Sequence, residues 1–290
     1  MKLEREGIWS SELRRHPDAG AIAEAAAELE ALGYSALWFP GGQGGEVMEA
    51  AEHLLKSTSR VPVAPGILNI WMHDPQEVAT EHARLVQEHD GRFLLGLGIG
   101  HAPTVNAKQP GLYKKPYTKM RTYLDELDAA TPPVPEDERI LAALKPRMLE
   151  LSRDRSIGAH PYFVPVEHTP VAREHLGPDA VLAPEQAVVL ETDPARARER
   201  ARSHMERYLT LPNYTGNLRE FGFTDDDFAD GGSDRLVDAI VAWGDEAAIA
   251  ERVRAHQQGG ADHVCIQVVG VPQGELPLHE WRTLAPALIG

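Results

Sequence analysis

Short apolar, β-branched runs alternate along the chain with longer stretches in which apolar residues recur every three or four positions. This is the pattern of parallel strands joined by crossover helices. The runs predict eight strands, at residues 7–9, 35–39, 62–68, 92–98, 140–144, 159–163, 186–191 and 263–269. The helical stretches carry their own punctuation. Pro17 opens a segment whose stripe of Ile22, Ala25, Ala26, Leu29 and Leu32 ends at Gly33, while Asp74 before Pro75 and Asp193 before Pro194 have the form of an N-cap followed by the first helical residue. The segment after Trp243 stops at Gly259 and Gly260, directly before the last strand.

Eight strand-and-helix units in 290 residues predict an α/β chain folded as one (β/α)8 TIM barrel over 1–290, a fold of ~250 residues plus insertions. The alternative is an open doubly wound sheet. Connections 100–139 and 192–262 exceed a loop and one helix, and predict insertions after strands 4 and 7 that act as lids. Tyr214, Phe221, Phe223 and Phe228 in the second insertion either line a pocket or fasten the insertion to the barrel.

Composition narrows the class. The chain is 42% hydrophobic and can bury a large core, and its single cysteine, Cys265, excludes a disulfide framework or a cysteine-rich zinc site. The segment MKLEREGIWS has no signal-peptide apolar stretch, and no window approaches ~18 apolar residues, so a cytoplasmic protein with no membrane partner is expected. A net charge of −15 repels polyanions and argues against nucleic acid as a partner. One stretch breaks that balance: from Ala102 to Leu124 there is no acidic residue, while Lys108, Lys114, Lys115, Lys119 and Arg121 are all cationic. It is either a solvated basic loop or a seat for an anionic ligand tail.

On a barrel, the C-terminal strand ends and the loops after them build the active site. That rule selects Ser10; Pro40 with Gly41, Gly42, Gly44 and Gly45; Gly66, Ile67 and Asn69; Gly98, Gly100 and His101; Leu144, Lys145 and Arg147; His160 and Tyr162; Thr192; and Val269 with Gly270. Gly96, Gly98 and Gly100 fall on one face of a strand, which leaves that face bare for a close neighbour, either the barrel interior or a flat ligand. His101 follows at once, where a group titrating near neutrality can exchange a proton. Lys145 and Arg147 open a helix after the fifth strand, an arrangement suited to a phosphate. Trp9, Trp38 and Trp71 either line the barrel mouth or pack beneath helices. There is no dinucleotide fingerprint, P-loop, metal-binding HExxH or GxSxG elbow.

Across nearly its whole length the chain resembles the bacterial luciferase-like superfamily of flavin and deazaflavin oxidoreductases. The resemblance is carried by ELEALGYSALWFPGG, VPVAPGILNIWMHDPQEVA, LVQEHDGRFLLGLGIGHAP, YLDELD, LAALKPRMLELSRDRSIGAHPYF and LAPEQAVVLETDPARAR, and is nearest to the coenzyme F420-dependent branch. It implies a barrel that holds the deazaflavin at its C-terminal face and, at the end of the third strand, a cis peptide not involving proline, here Gly66 to Ile67. It also implies that Gly66, Ile67 and Asn69 touch the ring, that Gly98, Gly100 and His101 touch its edge or ribityl chain, and that Ala143, Leu144, Lys145, Pro146, Arg147 and Met148 hold the phosphate. Coenzyme F420, with FMN as the alternative, is then the cofactor of an enzyme that passes a hydride to or from a small organic substrate. The same barrel also supports an FMN-dependent monooxygenase or a non-catalytic cofactor-binding protein, and the family implies a homodimer. Better-known deazaflavin dehydrogenases carry a catalytic histidine after strand two, where this chain has Pro40, Gly41 and Gly42, so His101 and His160 become the catalytic candidates, with Tyr162 behind them.

Overall fold

A computed structural model describes residues 3–42, 45–272 and 274–290; Gly44, among the candidates above, lies outside them. The described strands are β1 (Glu6–Trp9), β2 (Leu37–Phe39), β3 (Val63–Pro65), β4 (Leu68–Asn69), β5 (Leu95–Gly98), β6 (Arg139–Leu141), β7 (Gly158–Ala159), β8 (Val181–Leu182), β9 (Glu185–Leu190), β10 (Val241–Gly244) and β11 (Val264–Val268). Every pairing among them is parallel, in the orders β10-β9-β11-β1-β2-β3 and β4-β5-β6-β7-β8.

The two sheets meet at both seams. Val63 N donates to Arg92 O at 2.9 Å and Leu94 N to Val63 O at 3.0 Å, which ties β3 to the residues leading into β5. On the other side Ala183 N donates to Ala159 O and Glu185 N to Pro161 O, both at 2.9 Å, so the chain from β8 into β9 lies along β7 before reaching β11. With β3 and β4, and β8 and β9, each counted as one bent strand, the order is that of the predicted (β/α)8 TIM barrel, with insertions after the fourth and seventh strands.

Three details depart from the sequence reading. β10 pairs with β9 through Val241 opposite Ala187 and stands outside the eight. It went unpredicted because the helix Asp234–Ile240 runs into it without a turn residue to separate them. The fifth and sixth strands stop at Leu141 and Ala159, short of the predicted Leu144 and Phe163, leaving those residues in the loops above the barrel. The helix Ala19–Ala31 is capped by Asp18, whose side chain accepts from Gly20 N and Ala21 N, so Pro17 precedes the cap rather than opening the helix. Asp74 and Asp193 cap Pro75–Glu88 and Pro194–Leu209 as expected.

The main core lies between the strands and their helices, and a second cluster ties the later insertion to the barrel through Met205, Leu218, Phe223 and Leu236. Phe223 carries the Arg235 guanidinium 4.5 Å above its ring and Phe228 that of Arg219 at 5.0 Å; these aromatics fasten the insertion. Among the described residues no helix is long and apolar enough to cross a membrane.

Candidate active site

Glycine spacing in β5 has a structural cause. A Cβ on Gly96 would fall 1.9 Å from Pro65 O, one on Gly98 2.5 Å from the Ile67 side chain, and one on Gly100, where φ is +56°, 2.7 Å from Asn69 Nδ2. Alternate residues of the third strand therefore press against the bare face. Gly98, expected to touch the ring edge or ribityl chain, accommodates Ile67 and is not among the residues lining the cavity. The Gly66–Ile67 peptide is cis, and Ile67 and Asn69 face the cavity at the barrel mouth. Asn69 is buried, donating to Gly42 O at 3.3 Å and accepting from Trp71 N at 3.1 Å, and so joins the loops after strands two and three.

Beneath Gly66 two polar atoms converge. A Cβ on Gly66 would lie 2.5 Å from Trp9 Nε1 and 3.1 Å from His160 Nε2. Both nitrogens are buried without a hydrogen-bond partner, and both residues line the cavity. His160 stacks flat on Trp38 at 4.6 Å, and its Nδ1 sits 2.7 Å from Ala183 O, which can only accept. That bond fixes the proton on Nδ1 and leaves a lone pair on Nε2. Burial pushes the His160 pKa down to about 4, so the ring is neutral at pH 7. Trp9 N–H is thus an unused donor beside an unused acceptor. Trp38 is interior, donating to His263 at 3.0 Å, and Trp71 donates to Ile99 O at 2.9 Å.

His101 is the N-cap residue of the helix Ala102–Lys108 and lines the cavity mouth. Its Nδ1 lies 3.1 Å from Asn213 Oδ1 and its ring 5.2 Å from Tyr214, so the first insertion touches the second here. Burial lowers its pKa, with the Asn213 bond opposing. Opposite stands a tyrosine group: Tyr162 donates to Gln267 Oε1 at 2.9 Å and lies 2.8 Å from the Tyr208 hydroxyl. Glu185, which the sequence reading passed over, lies buried below them. Its Oε2 accepts from Phe163 N at 3.2 Å, its Oε1 has no partner, and burial drives its pKa up to about 8. The one sequence signal for it was an acidic residue immediately before the predicted strand 186–191.

Of the residues expected to hold a phosphate, Ala143, Leu144, Lys145, Arg147 and Met148 line the cavity, and Pro146, the first residue of the helix Pro146–Arg155, does not. No side chain caps this helix start. Lys145 already bonds Glu220 at 2.7 Å, so the expected unpaired cation is met by a carboxylate from the second insertion. Arg147 lies 4.2 Å over the Tyr117 ring. The cavity, about 610 Å³, is of a size for a cofactor ring with a small substrate. Tyr113, Pro116 and Tyr117 bring the basic segment to its wall, while Lys114 and Lys115 remain exposed. Among the described residues neither lysine pairs with a carboxylate. The orphaned donor and acceptor, the uncapped helix start and the cation-bearing walls fit a flavin or deazaflavin cofactor.

Residues 5–263 match the luciferase-like monooxygenase family. No curated protein matches the chain. Its architecture is similar to that of the coenzyme F420-dependent tetrahydromethanopterin reductase from Methanopyrus kandleri (TM-score 0.76, 15% identity, covering 100% of this chain and 99% of that one). It is also similar to an F420-dependent secondary alcohol dehydrogenase in complex with an F420-acetone adduct (TM-score 0.69, 15% identity, 99% of each chain). A third similar structure is the oxygenating constituent of 3,6-diketocamphane monooxygenase from the CAM plasmid of Pseudomonas putida in complex with FMN (TM-score 0.70, 15% identity, 98% of this chain and 96% of that one). At these identities the likeness concerns the fold.

Proposed function

Because the chain belongs to the luciferase-like monooxygenase family, whose members are oxidoreductases or monooxygenases, we propose that it is a coenzyme F420-dependent oxidoreductase. It transfers a hydride between the deazaflavin and a small organic substrate. The observation that carries the choice of F420 over FMN is the segment from Lys108 to Arg121: an acid-free run of cations in a chain of net charge −15, joined to the cavity wall through Tyr113 and Tyr117. F420 ends in an anionic lactyl and polyglutamyl tail, which such a segment would seat; FMN ends at its phosphate.

When bound, the deazaflavin supplies a two-electron hydride carrier at C5, and the protein supplies binding, orientation and proton handling. Ile67 and Asn69 shape the ring seat, and the helix start offers the main-chain N–H of Arg147 and its guanidinium charge to the phosphate, since Pro146 has no N–H and that of Met148 is bonded to Lys145 O. Trp9 Nε1 offers an unused donor and His160 Nε2 an unused acceptor at the cavity floor. With a pKa of about 4, His160 orients as a fixed acceptor and does not deliver a proton at neutral pH. His101, at the mouth beside Asn213, is the better proton carrier between substrate and solvent.

Charge reversal tests the segment. Lys114→Glu with Lys115→Glu should weaken F420 binding about tenfold or more at low salt, with the difference shrinking as salt rises. Unchanged F420 affinity at low salt would remove the reason for preferring F420. A variant with His160→Phe should keep coenzyme binding within a few-fold and lose turnover, and retained turnover would show that its Nε2 takes no part.

A further inference from the structure

An acidic chain has built a cavity without acid. The sequence has 44 Asp and Glu residues against 29 Lys and Arg, yet the residues lining the barrel mouth include Arg15, Lys145, Arg147 and Arg207 and no carboxylate. The four cations form two poles. Lys145 and Arg147 stand at the strand-five helix start, where Glu220 and Tyr117 engage them. Arg15 ends the short helix Glu12–Arg15 after β1, and Arg207 lies on Pro194–Leu209 in the second insertion. Both are exposed at the mouth, and among the described residues neither is paired with a carboxylate. Tyr208 feels the positive charge of both.

The same helix completes the second pole. Ser203, His204, Arg207 and Tyr208 are spaced to share one face, and all four line the cavity. His204 Nε2 is buried there without a partner, and its ring, packed 5.1 Å from Tyr208, is held neutral by burial. Two guanidinium groups free of carboxylates and an unsatisfied ring nitrogen on an aromatic wall form a site for an anion with an apolar body. One-signed walls also focus the field of the mouth on such a ligand.

We propose that the substrate carries a carboxylate or phosphate and that Arg15 and Arg207 hold this group, with His204, while its apolar part lies along Tyr208 and Tyr214 toward the cavity floor. The term substrate rests on the hydride-transfer reading; the anion site itself does not. The two poles stand on different elements, and the strand-five pole and the basic segment suffice for the phosphate and tail of the coenzyme, so Arg15 and Arg207 serve the second ligand.

The test compares matched probes, benzoate against benzamide and phenyl phosphate against phenol, by calorimetry on the protein with and without F420, in the parent and in Arg15→Ala with Arg207→Ala. Both positions are exposed, so the variant should fold, and a melting curve verifies this. At least one anion should bind about tenfold tighter than its neutral partner. The preference should vanish in the double variant and diminish with salt, with F420 affinity unchanged. Equal binding of anion and neutral partner, or a preference that survives both substitutions, overturns the proposal. A double variant that instead loses F420 affinity gives these arginines to the coenzyme tail and also overturns it. If F420 fails to bind while the anion preference persists, the hydride-transfer reading falls and the anion site stands.

Discussion

Glu185 shows most clearly what one residue can hide. Its place immediately before the predicted strand 186–191 was visible, but its burial, with Oε2 accepting from Phe163 N and Oε1 left without a partner, depends on parts of the chain far from it in sequence. Its folded pKa of about 8 lies above the ordinary carboxylate value, so its neutral form favours the fold at low pH. That contribution is full below pH ~4.5 and is lost as pH rises toward 8, by on the order of 1.4 kcal/mol per pH unit. Glu185→Gln should therefore be more stable than the parent at pH 8 and close to it at pH 5 in urea titrations; an equal difference at both pH values would contradict this. His101 and His160, by contrast, were legible, because a strand end in a barrel is an address that the sequence itself carries. Their separate roles were not, since the His160 tautomer is set by Ala183, more than twenty positions away.

Among the elements, the barrel strands were found by their apolar runs, and the departures have local causes. β10 follows a helix with no punctuation, and the third and seventh strands each divide where the backbone bends. The alternating glycines of β5 proved to be a contact between strands. They let Pro65, Ile67 and Asn69 approach, and Ile67 and Asn69 also line the cavity. Gly96→Ala should destabilise the fold by about 1–3 kcal/mol or more, since its Cβ would meet a backbone oxygen that cannot move aside cheaply. Denaturant unfolding of that variant at unchanged midpoint would show that the strands have room to part. Pocket membership of helix Pro194–Leu209 was the hardest element property to foresee, because its cavity face becomes visible only once the insertion has folded over the mouth.

Over the whole molecule, burial sets the charge behaviour. His82, His160, His204 and His263 are each pushed down to about 4 and His256 to about 3, all first by desolvation. Unfolding frees them to take protons near pH 6.5, so the stability they give is present above that pH and is lost as pH falls toward 4. The melting temperature should drop steeply between pH 6.5 and 5, and a flat profile there would contradict the burial of these rings. At this scale the sequence showed the acidic excess and the basic segment but not the acid-free cavity, because its lining comes from nearly every loop at one end of the barrel. The central claim is the identity of the cofactor. It is tested most directly by titrating the purified protein with coenzyme F420 and, separately, with FMN, each at low and moderate salt. Tight binding of F420 alone, weakened by salt, is the predicted result; preference for FMN, insensitive to salt, would contradict it and turn the barrel toward oxygen chemistry.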